Sequence, residues 1–309
     1  MMGWNQANAG ADTLRIAPSI ILNDDTSPPD SLSCTIPFTR AGNLILLQAK
    51  ADTMEGNFIL DTGAPHLVLN ITYFRDYPST TIADADQTSI TGTGQAVVKT
   101  QVKGLEINVM KYSNLEADLV NLGHIENSRG VKILGLLGME LFRQCELIID
   151  YERSVIHLHR IAKKEANVYR HVMLSDTSTF YTIPISLMDN RIVTNTVMAG
   201  KKLTLVIDCA AESNLLDSRL PDKIFDNVII TRRVMLTGSN NKRVEALSGD
   251  LSNMMIGNQP INNLPVLITN LENTCFSYGG CIDGVLGFDF LSKHKIGFNF
   301  VTRKMYIWK

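Results

Sequence analysis

Asn57-Phe58-Ile59-Leu60-Asp61-Thr62-Gly63-Ala64-Pro65 decides the fold. Three apolar residues run straight into an aspartate, followed by a small hydroxyl residue and a glycine. An apolar run of that length reads as a buried strand. A carboxylate at its end is costly to bury unless it is hydrogen-bonded or used. Gly63 lets the backbone turn tightly or approach another segment closely. A strand ending in an Asx-type turn has the same appearance, so this stretch alone leaves a plain turn open.

The chain then repeats the pattern. Leu203-Thr204-Leu205-Val206-Ile207-Asp208-Cys209-Ala210-Ala211 follows at an offset of 147, which is 208 − 61. Ile183-Pro184 stands at that same offset from Ile36-Pro37, and Asn190, Ile192 and Leu216 match Asn43, Ile45 and Leu69. A second block recurs at an offset of 149, which is 287 − 138: Ile133-Leu134-Gly135-Leu136-Leu137-Gly138-Met139-Glu140-Leu141-Phe142 and Ile282-Asp283-Gly284-Val285-Leu286-Gly287-Phe288-Asp289-Phe290-Leu291. Alternating strand pattern follows each block, from Glu146 to Leu158 and from Lys295 to Trp308. Each half therefore reads strand, strand, Asp turn, long middle, apolar-apolar-Gly, short helix, final hairpin.

This doubled order resembles the aspartic proteases of the pepsin and retropepsin kind, over roughly residues 36 to 309. The Gly-x-x-Leu/Phe helix after each apolar-apolar-Gly is closer to the retropepsin-like branch. The resemblance implies an all-β fold of two similar β-barrel lobes related by a pseudo-twofold axis, with apolar-apolar-Gly threaded beneath each Asp loop. The chain then divides into a flexible lead-in (1–35), an N-terminal lobe (36–160), a linker (161–180) and a C-terminal lobe (181–309). Within the lead-in, the apolar run Ile16 to Leu22 is placed to add an edge strand.

The same resemblance implies an endopeptidase. Asp61 and Asp208 would meet at the axis, and two carboxylates ~3 Å apart share one proton, giving a base beside an acid. A water taken up between them would attack the peptide bond, with no metal, no cofactor and no covalent intermediate. The partner would be a peptide or protein substrate, bound as an extended strand through main-chain hydrogen bonds. Substrate-binding positions would be Gly63, Ala210 and a flap hairpin at Thr88 to Val98, whose tip carries Thr91, Gly92, Thr93 and Gly94. Ile90-Thr91 stand where pepsin-type flaps carry a tyrosine. The counterpart in the second half is Leu236-Thr237-Gly238-Ser239-Asn240.

The second Asp motif departs from the pattern. Cys209 replaces the hydroxyl residue whose bonds tie the two loops together, and a thiol is a weaker donor and acceptor. Ala210 replaces glycine, at a cost of roughly 1–2 kcal/mol if that position has positive φ. The alternative function is accordingly a catalytically impaired, protease-like peptide-binding module.

Composition excludes other classes. A net charge of −2 with no basic stripe argues against nucleic acid, and no segment approaches the ~20 apolar residues of a membrane-spanning helix. Two halves in one chain make a self-contained site, so a monomer is expected. Five cysteines are too few for a disulfide scaffold. Cys275 and Cys281 flank a small loop that a disulfide would close in an exported protein, and Cys34 with Cys145 is a weaker pairing. Ala7-Asn8-Ala9 has the form of a signal-peptidase site. That suggests a periplasmic or secreted protein whose signal is shortened before Gly10; an ordinary polar start, and a cytoplasmic protein, is the other reading. His157 and His159 share one strand face but lack a ligand cluster, so they read as surface histidines. His66 either lines a substrate subsite or caps the Asp61 turn.

Overall fold

The computed structural model describes residues 32–86, 96–237, 243–272 and 280–309. The two halves repeat one plan in register. Leu44–Ala51 pairs antiparallel with Met54–Leu60, the strand that delivers Asp61. Gly135–Leu137 then inserts between Met54–Leu60, to which it is parallel, and Leu67–Asn70, to which it is antiparallel. In the second half Gly284–Leu286 lies between Lys201–Ile207 and Asn214–Asp217 in the same two senses. Phe58 faces Gly135 in one half and Leu205 faces Gly284 in the other, so both sequence offsets survive as spatial equivalence. One-turn helices, Met139–Phe142 and Phe288–Leu291, follow each insertion.

Gly138 shows why the small residue is needed there. A Cβ on it would lie 2.1 Å from the carbonyl oxygen of His66, and a Cβ on its counterpart Gly287 would lie 2.6 Å from that of Ser213. The inserted segment passes directly under the chain leaving each Asp turn. Met139 N–H donates to Ala64 O at 2.9 Å and Phe288 N–H to Ala211 O at 2.8 Å, which fastens the two layers.

The long middle of each half is a meander. Ser79–Asp86, Ala96–Ile107 and Met110–Val120 are successive antiparallel strands in the first. Val228–Thr237, Arg243–Leu251 and Leu264–Thr269 are their equivalents. Ser79–Asp86 and Ala96–Ile107 thus pair on either side of the predicted flap tip; Thr91, Gly92, Thr93, Gly94 and the residues 238–240 of its counterpart lie outside the described residues.

The final hairpins do not close the lobes. They build a third, six-stranded sheet in the order Leu32–Pro37, Val155–Arg160, Cys145–Asp150, Ile296–Asn299, Lys304–Trp308, Phe180–Pro184. Each half contributes its first strand and its last hairpin, in mirrored order, and the halves join where Cys145–Asp150 pairs with Ile296–Asn299. That palindrome is the pseudo-twofold axis in sheet form. Leu32–Pro37 is an edge strand of this sheet, so regular structure begins inside the expected lead-in; the Ile16 to Leu22 run lies outside the described residues.

Two local expectations are corrected here. Cys34 and Cys145 are free thiols. They sit on the two strands that flank Val155–Arg160, hence roughly two strand spacings of ~4.8 Å apart and beyond the ~7 Å reach of a disulfide. His159 is buried rather than on the surface, bonded to Ser33 and Glu165 and stacked on Tyr169 with ring centres 3.7 Å apart. The linker is therefore anchored: buried Glu165 also accepts from Ala162 N–H at 2.6 Å. Among the described residues no group of histidine, cysteine or carboxylate side chains forms a metal site. Cys281 is disulfide-bonded; Cys275, its expected partner, lies outside the described residues.

One contiguous apolar core runs through both halves, joining Leu60, Leu69 and Leu137 to Ile207, Leu216 and Leu286 and to Phe298 in the shared sheet. The Asp loops stand above this common floor. Among the described residues no helix is long and apolar enough to cross a membrane.

Candidate active site

Each aspartate leaves a buried strand and folds back over its own turn. Asp61 Oδ1 accepts from Gly63 N–H at 2.8 Å and Ala64 N–H at 3.0 Å. Asp208 Oδ1 accepts from Ala210 N–H at 2.8 Å and Ala211 N–H at 3.0 Å. The two carboxyls are held alike, at the junction between the halves. They lie close enough there to perturb each other's ionisation, and a Cβ on Gly63 would lie 2.4 Å from Asp208 Oδ2. Gly63 is glycine because the opposite carboxylate occupies the place of its side chain.

The loops are tied across the axis beneath the carboxyls. Thr62 Oγ1 donates to Ile207 O at 2.9 Å and accepts from Cys209 N–H at 2.8 Å. Cys209 Sγ donates to Leu60 O at 3.2 Å, the symmetry counterpart of the Thr62 bond to Ile207. Both side chains are fully buried. The thiol therefore keeps the cross-tie, in a longer and weaker form. Ala210 carries none of the feared strain: it is absent from the positive-φ residues. Its methyl group packs on the cluster of Leu44, Leu46, Ile59 and Ile133 from the other half.

Burial raises the pKa of both Asp61 and Asp208, and for Asp61 the neighbouring Asp208 charge raises it further. Two half-buried carboxyls this close cannot both ionise readily, so the pair retains a proton well above the ordinary carboxylate range. The turn N–H bonds and Arg191 pull in the opposite direction.

Arg191 carries no signal in the sequence. It stands at the position equivalent to Leu44, at the start of Arg191–Met198, and is only 8% exposed. Its Nε donates to Gly63 O at 2.7 Å and its Nη1 to Asp189 Oδ2 at 2.7 Å. A buried cation from the second half thus holds the Asp loop of the first. The expected alternatives for His66 resolve against a turn cap: Nδ1 lies 2.5 Å from Glu140 Oε2 and the ring lines a cavity. The structure brings Asp61, Asp208, Gly63 and Ala210 together; the expected flap positions lie outside the described residues.

A sequence model of the aspartyl protease family matches residues 48–141 and again 193–290, together more than half of the chain. No curated protein matches the sequence. The crystal structure of aspartic proteinase from Irpex lacteus is similar with a TM-score of 0.51 at 11% identity, over 90% of this chain and 97% of that one. Basic 7S globulin from soybean is similar with a TM-score of 0.46 at 11% identity, over 89% and 94%, too distant to bear on the argument. At such identities the likeness is one of fold.

Proposed function

The chain belongs to the aspartyl protease family, and from that premise we propose that it is an aspartic endopeptidase working through an Asp61/Asp208 dyad. The observation that carries the reading is the pair itself: two carboxyls held alike on equivalent loops, close enough to interact, whose raised pKa values keep one proton on the pair.

Catalysis follows from that proton. The ionised carboxyl takes a proton from a water between the two, and the water oxygen attacks the scissile carbonyl carbon. The protonated carboxyl gives its proton to the carbonyl oxygen, which leaves a neutral gem-diol. The carboxyl that took the water's proton then gives it to the amide nitrogen while the other takes a proton from a gem-diol hydroxyl, the C–N bond breaks to acid and amine, and one carboxyl is again protonated and one ionised. Each positioned proton transfer is typically worth ~10²–10⁴-fold in rate. Thr62, Cys209 and the buried core hold the acids in place, and preorganisation of this kind is what makes such transfers effective. Substrate lies extended over the dyad, beneath the hairpin whose arms are Ser79–Asp86 and Ala96–Ile107. The site is complete in one chain, so the working unit is a monomer. Export to the periplasm or beyond belongs to the same proposal and is supported by the disulfide at Cys281.

The test is cleavage of an unfolded protein or a peptide library from pH 3 to 7, by the native protein and by Asp61→Asn. Cleavage that disappears in Asp61→Asn and with a statine-type inhibitor is the expected result. Peptide binding without cleavage by the native protein would contradict it and give the impaired binding module, whose grounds are Cys209 and Ala210.

A further inference from the structure

Arg143 from the first half and Arg303 from the second open onto one cavity of about 560 Å³ at the lobe boundary, shared with His66, Leu187, Asp189 and Asn190. The charges around it do not balance locally. Arg143 donates from Nε, at 2.9 Å, and from Nη2 to Asn190 Oδ1, a neutral acceptor, which leaves Nη1 without a hydrogen bond among the described residues. Arg303 sits in the turn before Lys304–Trp308, its backbone held by Ile185 N–H donating to its carbonyl at 3.1 Å. Neither guanidinium forms an ion pair among the described residues, and the two nearby carboxylates are engaged: Asp189 by Arg191 at 2.7 Å and Glu140 by His66 at 2.5 Å. Two arginines therefore line the cavity against one carboxylate, Asp189, which is already paired with Arg191.

The cavity adjoins the dyad. Its wall residue Asp189 holds Arg191, Arg191 holds Gly63 O, and Gly63 N–H holds Asp61, so a single guanidinium separates cavity from catalytic loop. An extended peptide advances at most ~3.3–3.6 Å per residue, so a side chain two to four residues from the scissile bond reaches this distance. The guanidinium fork matches a carboxylate in shape and charge. We propose that this cavity is a subsite for a carboxylate of the bound peptide, supplied by a Glu or Asp side chain near the scissile bond or by a free C-terminus, and held by Arg143 and Arg303. This assignment rests on the peptide-binding reading above and deepens it to peptides bearing an acidic group at a fixed place.

Binding rather than turnover tests it. Octapeptide libraries are built around a non-cleavable reduced-amide bond, with Glu or Gln at each flanking position in turn and with a free or amidated C-terminus. Affinity is read by fluorescence anisotropy on the full chain. Expected is one position at which Glu binds about tenfold or more tighter than Gln, the size of one charge-assisted bond. A preference that tracks the free terminus instead identifies the terminus as the carboxylate and supports the subsite equally. Either preference should vanish in Arg303→Asn, which keeps a residue tolerant of the positive φ of that turn, and in Arg143→Gln, while Gln and amide peptides bind as before. Peptides that bind with no preference at any position would overturn the subsite and leave the protease reading standing. Equal weakening of acidic and neutral peptides in both variants would also overturn it, and no binding by any peptide would remove the peptide site and the subsite together.

Discussion

Among single residues, the Asp loops depend on Thr62 and Cys209 to different degrees. Thr62 Oγ1 makes two buried cross-axis bonds through a hydroxyl, whereas Cys209 Sγ reaches Leu60 O through a weaker thiol bond. Thr62→Val leaves Ile207 O and Cys209 N–H without that partner and should cost ~1–3 kcal/mol in urea unfolding, whereas Cys209→Ala should cost about 1 kcal/mol from its lost bond, plus a small cavity term. Equal costs would mean that the thiol carries as much of the tie as the hydroxyl. Arg191 acts on charge. Its guanidinium lowers the pKa of both dyad carboxyls, so Arg191→Leu, which installs the residue found at the equivalent position 44, should move the pH–rate profile to higher pH. Arg191→Lys should restore much of the native profile. A profile unmoved by Arg191→Leu would show that the cation serves only the loop. The dyad was legible because Asp-Thr-Gly and its repeat are local patterns. Arg191 was not, because a lone arginine at the start of a strand gains its meaning only from a loop 128 residues away.

Among elements, the shared sheet carries a titration of its own. Glu146 is 2% exposed on Cys145–Asp150, opposite Asn299, whose side-chain N–H donates to it at 2.9 Å. Burial pushes its carboxyl up to about 7 from 4.5, opposed by the Asn299 bond. Between those values the folded form holds a proton that the unfolded chain has lost, so stability falls as pH rises from about 4.5 to 7 and levels above that. The span corresponds to roughly 3 kcal/mol, and the raised dyad pKa values act with the same sign. Urea midpoints at pH 5 and 7.5 should differ accordingly, and Glu146→Gln should flatten much of the difference; an unchanged slope in that variant would locate the pH dependence elsewhere. The inserted strands make a separate demand. Gly138→Ala places a methyl against His66 O and should cost ~1–3 kcal/mol as overpacking, with activity lost beyond that because the Asp61 loop above it must lift. A variant with native stability and turnover would show that the layers have slack.

Across the whole molecule, duplication was the most legible property, since equivalent residues recur at fixed offsets and the registers preserve them. The six-stranded sheet was not legible, although both of its hairpins were. Alternation marks a strand without naming its neighbour, and Cys145–Asp150 finds its partner Ile296–Asn299 about 150 residues along the chain. The anchored linker was hidden for the same reason: Glu165 reads as one more charge in a charged stretch until His159 is seen beside it. What the assembly achieves is a common floor on which two acids meet. Carboxyl ¹³C NMR of aspartate-labelled protein measures that meeting directly, with Asp61→Asn and Asp208→Asn as assignments. The account predicts that the two resonances titrate as a coupled pair, the last proton leaving well above the ordinary aspartate range, and that this coupling vanishes in either variant. Two independent titrations near the ordinary aspartate value would contradict it.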